Sequence, residues 1–212
     1  MPAHEPAPDC ALCPRLVSFR EANAAAFPAF HNGPVPAFGE LSAPLLVVGL
    51  APGLKGANRT ARPFTGDYAG DLLYPSLIEA GFATGTYDAR PDDGLRLAGC
   101  RITNAVRCVP PANKPTGDEA KTCRPFLVAE IAVMTNLHAL LALGRIAHEA
   151  VIRTFGLRQK DHGFRHGALH RLPNGLLLAD SYHCSRYNVN TRRLTPQMFA
   201  DVLAALAEAI GD

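Results

Sequence analysis

The sequence predicts an α/β fold, a three-layer α/β/α sandwich around a central, mainly parallel, four-stranded sheet. Short apolar runs of strand length alternate with segments whose apolar residues recur at helical spacing. The loops between them are long and rich in Gly, Pro and Asn, unlike the two-residue turns of hairpins. Parallel neighbours need crossover connections that cover both sheet faces, so this alternation implies three layers.

The elements follow in order. Residues 1–9 are rich in Pro and Ala, and Cys13 to Phe27 carries a helical pattern that turns Leu16, Phe19 and Arg20 inward. Prolines and glycines break residues 28–44 around Phe30 and Phe38, so residues 1–40 read as an N-terminal wrap on a single domain spanning 1–212. The first strand is Leu45 to Leu50. A long glycine-containing loop then leads to a helical pattern near Asp71, carried by Leu72, Leu73, Leu77 and Ile78 and closed by Gly81 at a C-cap position. Arg101 to Val106 is the second strand and runs directly into Cys108-Val109-Pro110-Pro111. Thr116 and Glu119 have capping-box spacing, and Phe126, Leu127, Glu130, Ile131 and Met134 trace one helical face, with a break or second start implied by Pro125. His138 to Leu143 is the third strand, Gly144 to Phe155 a helix stopped by Gly156, and Leu176 to Ala179 the fourth strand. Thr195-Pro196 caps a last helix with the stripe Phe199, Val202, Leu203, Leu206 and Ile210.

Composition narrows the class. The 212 residues are 48% hydrophobic and 19% charged, ordinary for a globular chain with a full core. No apolar run reaches membrane-spanning length and the N-terminus lacks the pattern of a secretory signal, which points to a cytoplasmic protein with no membrane partner. A net charge of +2 announces no polyanion partner by itself. Between Arg158 and Arg193, however, seven Lys/Arg face two Asp, a phosphate-facing patch or a solvated basic surface.

Six cysteines in such a chain speak for metal or redox chemistry rather than disulfides. Cys10 and Cys13 form a C-x-x-C, and Cys108 and Cys123 form a second pair with 14 residues between them. Four thiolates close around a zinc ion or an iron-sulfur cluster, and spacing alone decides neither. Cys100 opens a strand and reads as core.

Ligands bind at the carboxyl ends of the strands in such a sheet. Those ends carry the loop after Leu50, the segment Asn104 to Lys114, the loop after Gly144, and Ser181 to Asn188. Asn104 offers a donor and an acceptor suited to a pyrimidine edge, or else caps its own loop. His183 donates to an oxygen gaining negative charge, or is a satisfied structural histidine. Asp67 orients water or counters developing positive charge, or makes an Asx turn. The first loop lacks the glycine patterns that cradle phosphates.

Gly49-Leu50-Ala51-Pro52-Gly53, Gly56-Ala57-Asn58-Arg59-Thr60, Arg62-Pro63-Phe64-Thr65-Gly66-Asp67, Gly70, Ser181-Tyr182-His183 and Asn188-Val189-Asn190-Thr191 together resemble the iron-sulfur-containing branch of the uracil-DNA glycosylase superfamily, most closely its family 5, the type B enzymes. The resemblance extends over nearly the whole chain. It implies a uracil-DNA glycosylase-like fold and a [4Fe-4S] cluster on Cys10, Cys13, Cys108 and Cys123. It also implies a base pocket formed by Gly49, Ala51, Gly53, Phe64, Asn104 and His183. In that pocket Phe64 stacks on a flipped base, Asn104 binds the base edge, and His183 stabilises the departing anion. Asp67 assists water or the sugar cation, because Gly53 stands where sister families place a carboxylate or amide. Arg59, Arg186, Tyr187, Asn188, Arg192 and Arg193 become DNA contacts. His183-Cys184-Ser185 departs from the family's His-Pro-Ser, and losing the proline frees the loop's φ, with Cys184 a neutral small residue.

The activity implied is that of a monofunctional, base-flipping DNA glycosylase acting as a monomer on DNA that contains uracil or other deaminated bases such as hypoxanthine, and leaving an abasic site. Two alternatives remain at this point. One is a non-catalytic nucleic-acid-binding module structured by zinc or iron, and the other is a protein that traps uracil-DNA covalently.

Overall fold

The computed structural model describes residues 3–211; Met1, Pro2 and Asp212, the ends of the expected 1–212 span, lie outside the described residues. Among the described residues, seven strands and seven α-helices follow one another. Helix α1 (Pro14–Ala26) precedes strand β1 (Leu45–Gly49), the short helix α2 (Ala57–Thr60) and α3 (Tyr68–Glu79). Strands β2 (Ala83–Thr84) and β3 (Arg96–Leu97) lead to β4 (Cys100–Asn104), α4 (Gly117–Val133), β5 (Ala139–Leu143) and α5 (Arg145–Thr154). Strands β6 (Leu169–Arg171) and β7 (Leu177–Ser181), then α6 (Arg186–Asn190) and α7 (Pro196–Gly211), complete the chain.

The main sheet has the order β4-β1-β5-β7-β6, with β4, β1, β5 and β7 parallel. Alternate residues of a strand face opposite sides, and here each set has its own apolar layer. Leu45, Val47, Ile102 and Leu141 pack on Leu73 and Leu77 of α3 and Phe199, Leu203 and Leu206 of α7. Leu46, Val48, Leu140 and Leu178 pack on Leu127 of α4 and Val151 and Ile152 of α5. Each fully buried Leu or Ile contributes about 1.5–3 kcal/mol of transfer free energy, so two such layers hold a three-layer sandwich.

The expected four-stranded sheet is one strand short. Strand β6 adds an antiparallel edge, pairing with β7 from Leu169↔Ala179 to Arg171↔Leu177. It escaped notice because Leu-His-Arg is three residues long, is largely exposed and carries no apolar run. The β2/β3 ribbon escaped for the same reason. The first crossover helix begins at Tyr68, before the expected Asp71, because Asp67 caps it by accepting from the Ala69 N–H at 3.1 Å. The break expected at Pro125 is absent, and α4 runs through it. Anchors flank the proline on both sides: Arg15 holds Glu119 at 2.8 Å, and Arg101 holds the fully buried Glu130 at 2.6 Å. The capping box of Thr116 and Glu119 is present as expected.

Successive connections carry the chain from β1 to β4 on one side and then across to β5 on the other. The order therefore reverses at β1, and a crevice opens outside the strand carboxyl ends beside it. No helix among the described residues is long and apolar enough to cross a membrane.

Candidate active site

Gly49 ends β1 opposite Asn104, which ends β4, in parallel register. A cleft of about 380 Å³ opens beyond them. The loop after β1 supplies Ala51, Gly53, Phe64 and Asp67, β4 supplies Asn104, and the loop after β7 supplies His183 and Arg186. Of the residues expected to line a base pocket, Ala51, Gly53, Phe64, Asn104 and His183 all face one space. Gly49 forms the floor. A side chain there would overlap both Asn104 Oδ1 and the edge of the Phe64 ring.

Phe64 is buried and sits at φ 53°, a left-handed conformation uncommon outside glycine. Buried Tyr74 holds the neighbouring Pro63 carbonyl at 2.5 Å, and Tyr87 holds the Phe64 carbonyl at 3.3 Å. Gly70 makes this packing possible, since a Cβ there would collide with the Phe64 carbonyl and the Tyr87 hydroxyl. Such strain persists where the surroundings over-determine it, and it aims the ring into the cleft 6.1 Å from the His183 imidazole, centroid to centroid.

Asn104 is buried, and its Oδ1 has no hydrogen-bond partner. A buried unpaired acceptor is costly, and Asn104 belongs to the wall of the cleft. Asp67 uses one carboxylate oxygen to cap α3, while the other faces Gly53 and Gly56. Burial raises its pKa, against the pull of the helix-start N–H groups. Burial lowers the pKa of His183, which is therefore neutral near pH 7 and able to donate one N–H. Its carbonyl is held by the Asn188 carboxamide at 2.8 Å, so Asn188 braces this loop.

The expected DNA contacts spread around the mouth. Arg186 stacks on Tyr68 at 5.0 Å, and Tyr187 is 71% exposed on α6, a short helix capped by the Ser185 hydroxyl. Arg193 lies over Tyr182 at 4.6 Å, in a neighbouring groove shared with His183 and Arg145. Arg192 is exposed at φ 58°. Arg59 is exposed but donates to the Lys55 carbonyl of its own loop, away from the cleft lining. Sequence reasoning missed Asn113, which lines the cleft. Its signal is the Ala112-Asn113 pair, left-handed at φ 54° and 55° after two prolines. Cys184 is fully buried in the core, as a small neutral residue there requires.

On the far side of β4, Cys10, Cys13, Cys108 and Cys123 line a single cavity walled by Leu16, Val106 and Phe126. Burial, reinforced by the neighbouring thiols, pushes Cys108 up to about 12, and Cys13 and Cys123 also rise. Thiols gathered in this way are soft donors that a bound cation would deprotonate. No three of their sulfurs lie within 4.8 Å of one another; among the described residues the one set of three metal-ligating side chains that close is His148, His170 and Asp180.

A family model for the uracil DNA glycosylase superfamily matches residues 36–207 of this chain. The chain is 49% identical over 199 residues to a type-5 uracil-DNA glycosylase of Thermus thermophilus, covering 92% of this chain and 90% of the relative. It is 40% identical over 210 residues to a type-5 uracil-DNA glycosylase of Mycobacterium bovis, covering 95% and 78% respectively. A type-4 uracil-DNA glycosylase of Pyrobaculum aerophilum is 31% identical over 135 residues, covering 63% of this chain and 61% of the relative.

Proposed function

The chain belongs to the uracil DNA glycosylase superfamily, in its type-5 branch, and from that premise we propose how it acts as a DNA-repair enzyme that excises uracil by hydrolysing the N-glycosyl bond. The observation that carries the reading is the unpaired, buried Oδ1 of Asn104 in the cleft wall. Uracil presents O4 beside N3–H, and a carboxamide meets that pair with one donor and one acceptor. Cytosine offers no N–H at N3. Hypoxanthine carries the same carbonyl and N–H side by side, which supports a range extending to other deaminated bases.

The base leaves the helix stack to enter the cleft and lies against Phe64. As the bond between C1′ and N1 breaks, its electron pair passes into the base and charge gathers on O2. Neutral His183 donates its N–H there, an interaction that strengthens only as the charge develops. Water adds its oxygen to C1′, and its proton goes to Asp67. That carboxylate's raised pKa makes it a stronger base than a surface aspartate, and its negative charge also favours the cationic sugar. Gly56 and Gly53 let the Asp67 carboxylate pack close against the backbone of this loop, because a side chain at Gly56 would collide with it. Arg186, Arg192, Arg193 and Tyr187 are placed to engage the strand, with phosphate contacts positioning it.

Cys10, Cys13, Cys108 and Cys123 fit a [4Fe-4S] cluster with an architectural role. A zinc ion with Zn–S bonds of about 2.3 Å holds four sulfurs about 3.8 Å apart in a tetrahedron. The cluster ties the N-terminal wrap to β4 and α4.

The test is incubation with oligonucleotides carrying uracil or hypoxanthine, followed by alkali. Alkali-dependent strand breaks at both bases support the proposal. No break at either base overturns the enzyme reading, and an alkali-stable protein–DNA adduct replaces it with covalent trapping.

A further inference from the structure

His148 on α5, His170 on β6 and Asp180 on β7 converge on one buried point behind the strand that presents His183. His148 Nδ1 lies 2.7 Å from Asp180 Oδ1, and His170 Nε2 lies 3.1 Å from Oδ2 of the same carboxylate. The side chains of His148 and Asp180 are 1% and 0% exposed, and that of His170 is 14% exposed. The other nitrogen of His148, Nε2, lies 2.8 Å from the His162 carbonyl. A carbonyl only accepts, so Nε2 carries the proton that it receives. In the neutral ring Nδ1 is then a lone pair facing a carboxylate oxygen in a buried site. A proton on the ring or on the carboxyl, or a metal ion bound by both, has to relieve that contact.

Three features favour the metal over a proton. Two imidazoles and a carboxylate are a recurrent ligand set for divalent transition metals. Their donor atoms already lie within 4.8 Å of one another. The hydrogen bond from His148 Nε2 to a backbone carbonyl is the outer support that ligating histidines carry. We propose that His148, His170 and Asp180 form a site for a divalent ion of the zinc class, separate from the four cysteines. The ion fastens the 158–172 segment to α5 and the sheet edge. That segment in turn props the strand end before His183, because His166 Nδ1 accepts from the Tyr182 N–H at 3.1 Å and its ring stacks on Tyr182 at 5.0 Å.

The test uses the full chain as isolated, with the metal on its cysteines left in place. Zinc binding is measured by equilibrium dialysis, and Co²⁺ serves as a spectroscopic probe. One zinc beyond the cysteine-bound metal is expected, with a rise in Tm on zinc addition. Bound Co²⁺ gives visible ligand-field bands without the intense near-ultraviolet absorption of thiolate ligation. His170→Gln, on an exposed edge strand, keeps its cysteine-bound metal and loses at least about 10-fold in zinc affinity, the least that disrupting such a site costs. Asp180→Asn gives the same loss, and His170→Gln decides the matter should that variant fail to fold. No additional metal, or equal binding by His170→Gln, overturns the proposal and leaves a proton shared by His148 and Asp180 in its place.

Discussion

Gly49 and Asn104 are register partners at the ends of β1 and β4, and the bare α-carbon at 49 is the floor on which the Asn104 carboxamide and the Phe64 ring converge. The same pair explains why the pocket demands a glycine at an otherwise ordinary strand position. Gly49→Ala forces one of the two groups aside. Excision is expected to fall at least about 100-fold, and the overpacked strand loses about 1–3 kcal/mol of stability. Single-turnover rates and denaturant melts of this variant measure both.

Asn104 sets function against stability. Its buried Oδ1 is unpaired without substrate, so Asn104→Ala removes a desolvated polar group along with its side-chain packing. Loss of about 1–3 kcal/mol of base-edge hydrogen bonding corresponds to a decrease of about 5- to 150-fold in kcat/KM. The melting temperature is expected to stay level or rise. A drop in Tm as large as for a core deletion, with near-normal excision, contradicts the base-reading role.

Asp67 carries two duties that Asp67→Asn separates. Asparagine caps a helix as well as aspartate does, so α3 keeps its start. It cannot accept a proton, so excision is expected to fall by about 100-fold or more. The pH dependence has a definite sign. Burial raises the folded pKa above the unfolded value, so the folded state holds the proton more tightly. The charged carboxylate therefore costs stability above its folded pKa, and that cost fades as pH falls towards the unfolded value of about 4. The variant is expected to melt higher than wild type at neutral pH and to lose that advantage near pH 4.

The fold was legible where the signal was local and long enough. Strands β1 and β5 are apolar runs of five residues, β7 opens on the apolar Leu177, Leu178 and Ala179, and the last helix carries an unbroken apolar stripe. Strand β6 was not, because an exposed Leu-His-Arg becomes a strand only through its partner β7. In the site, Phe64, Asp67 and His183 belong to contiguous motifs, Asn104 stands at a strand end, and the four line one cleft. Asn113 reaches the cleft through backbone turned left-handed by its neighbours, and His148, His170 and Asp180 come together only through the tertiary fold.

Removing the cysteine centre tests its architectural role. Cys10 and Cys13 lie within the N-terminal wrap just before α1, and Arg20 holds the Cys10 carbonyl. Cys108→Ser is expected to lose the broad visible absorption of an iron-sulfur protein, to lower the Tm and to open residues 5–15 to protease. A colourless, zinc-replete wild type contradicts the cluster.

The central claim is that Asn104 reads the N–H at position 3 of a base lodged against Phe64. Single-turnover excision by the wild-type enzyme on two duplexes, identical except for deoxyuridine or deoxycytidine at one position, measures this directly. The account predicts alkali-dependent cleavage at deoxyuridine and an intact deoxycytidine strand. Equal cleavage at both, or at neither, contradicts it.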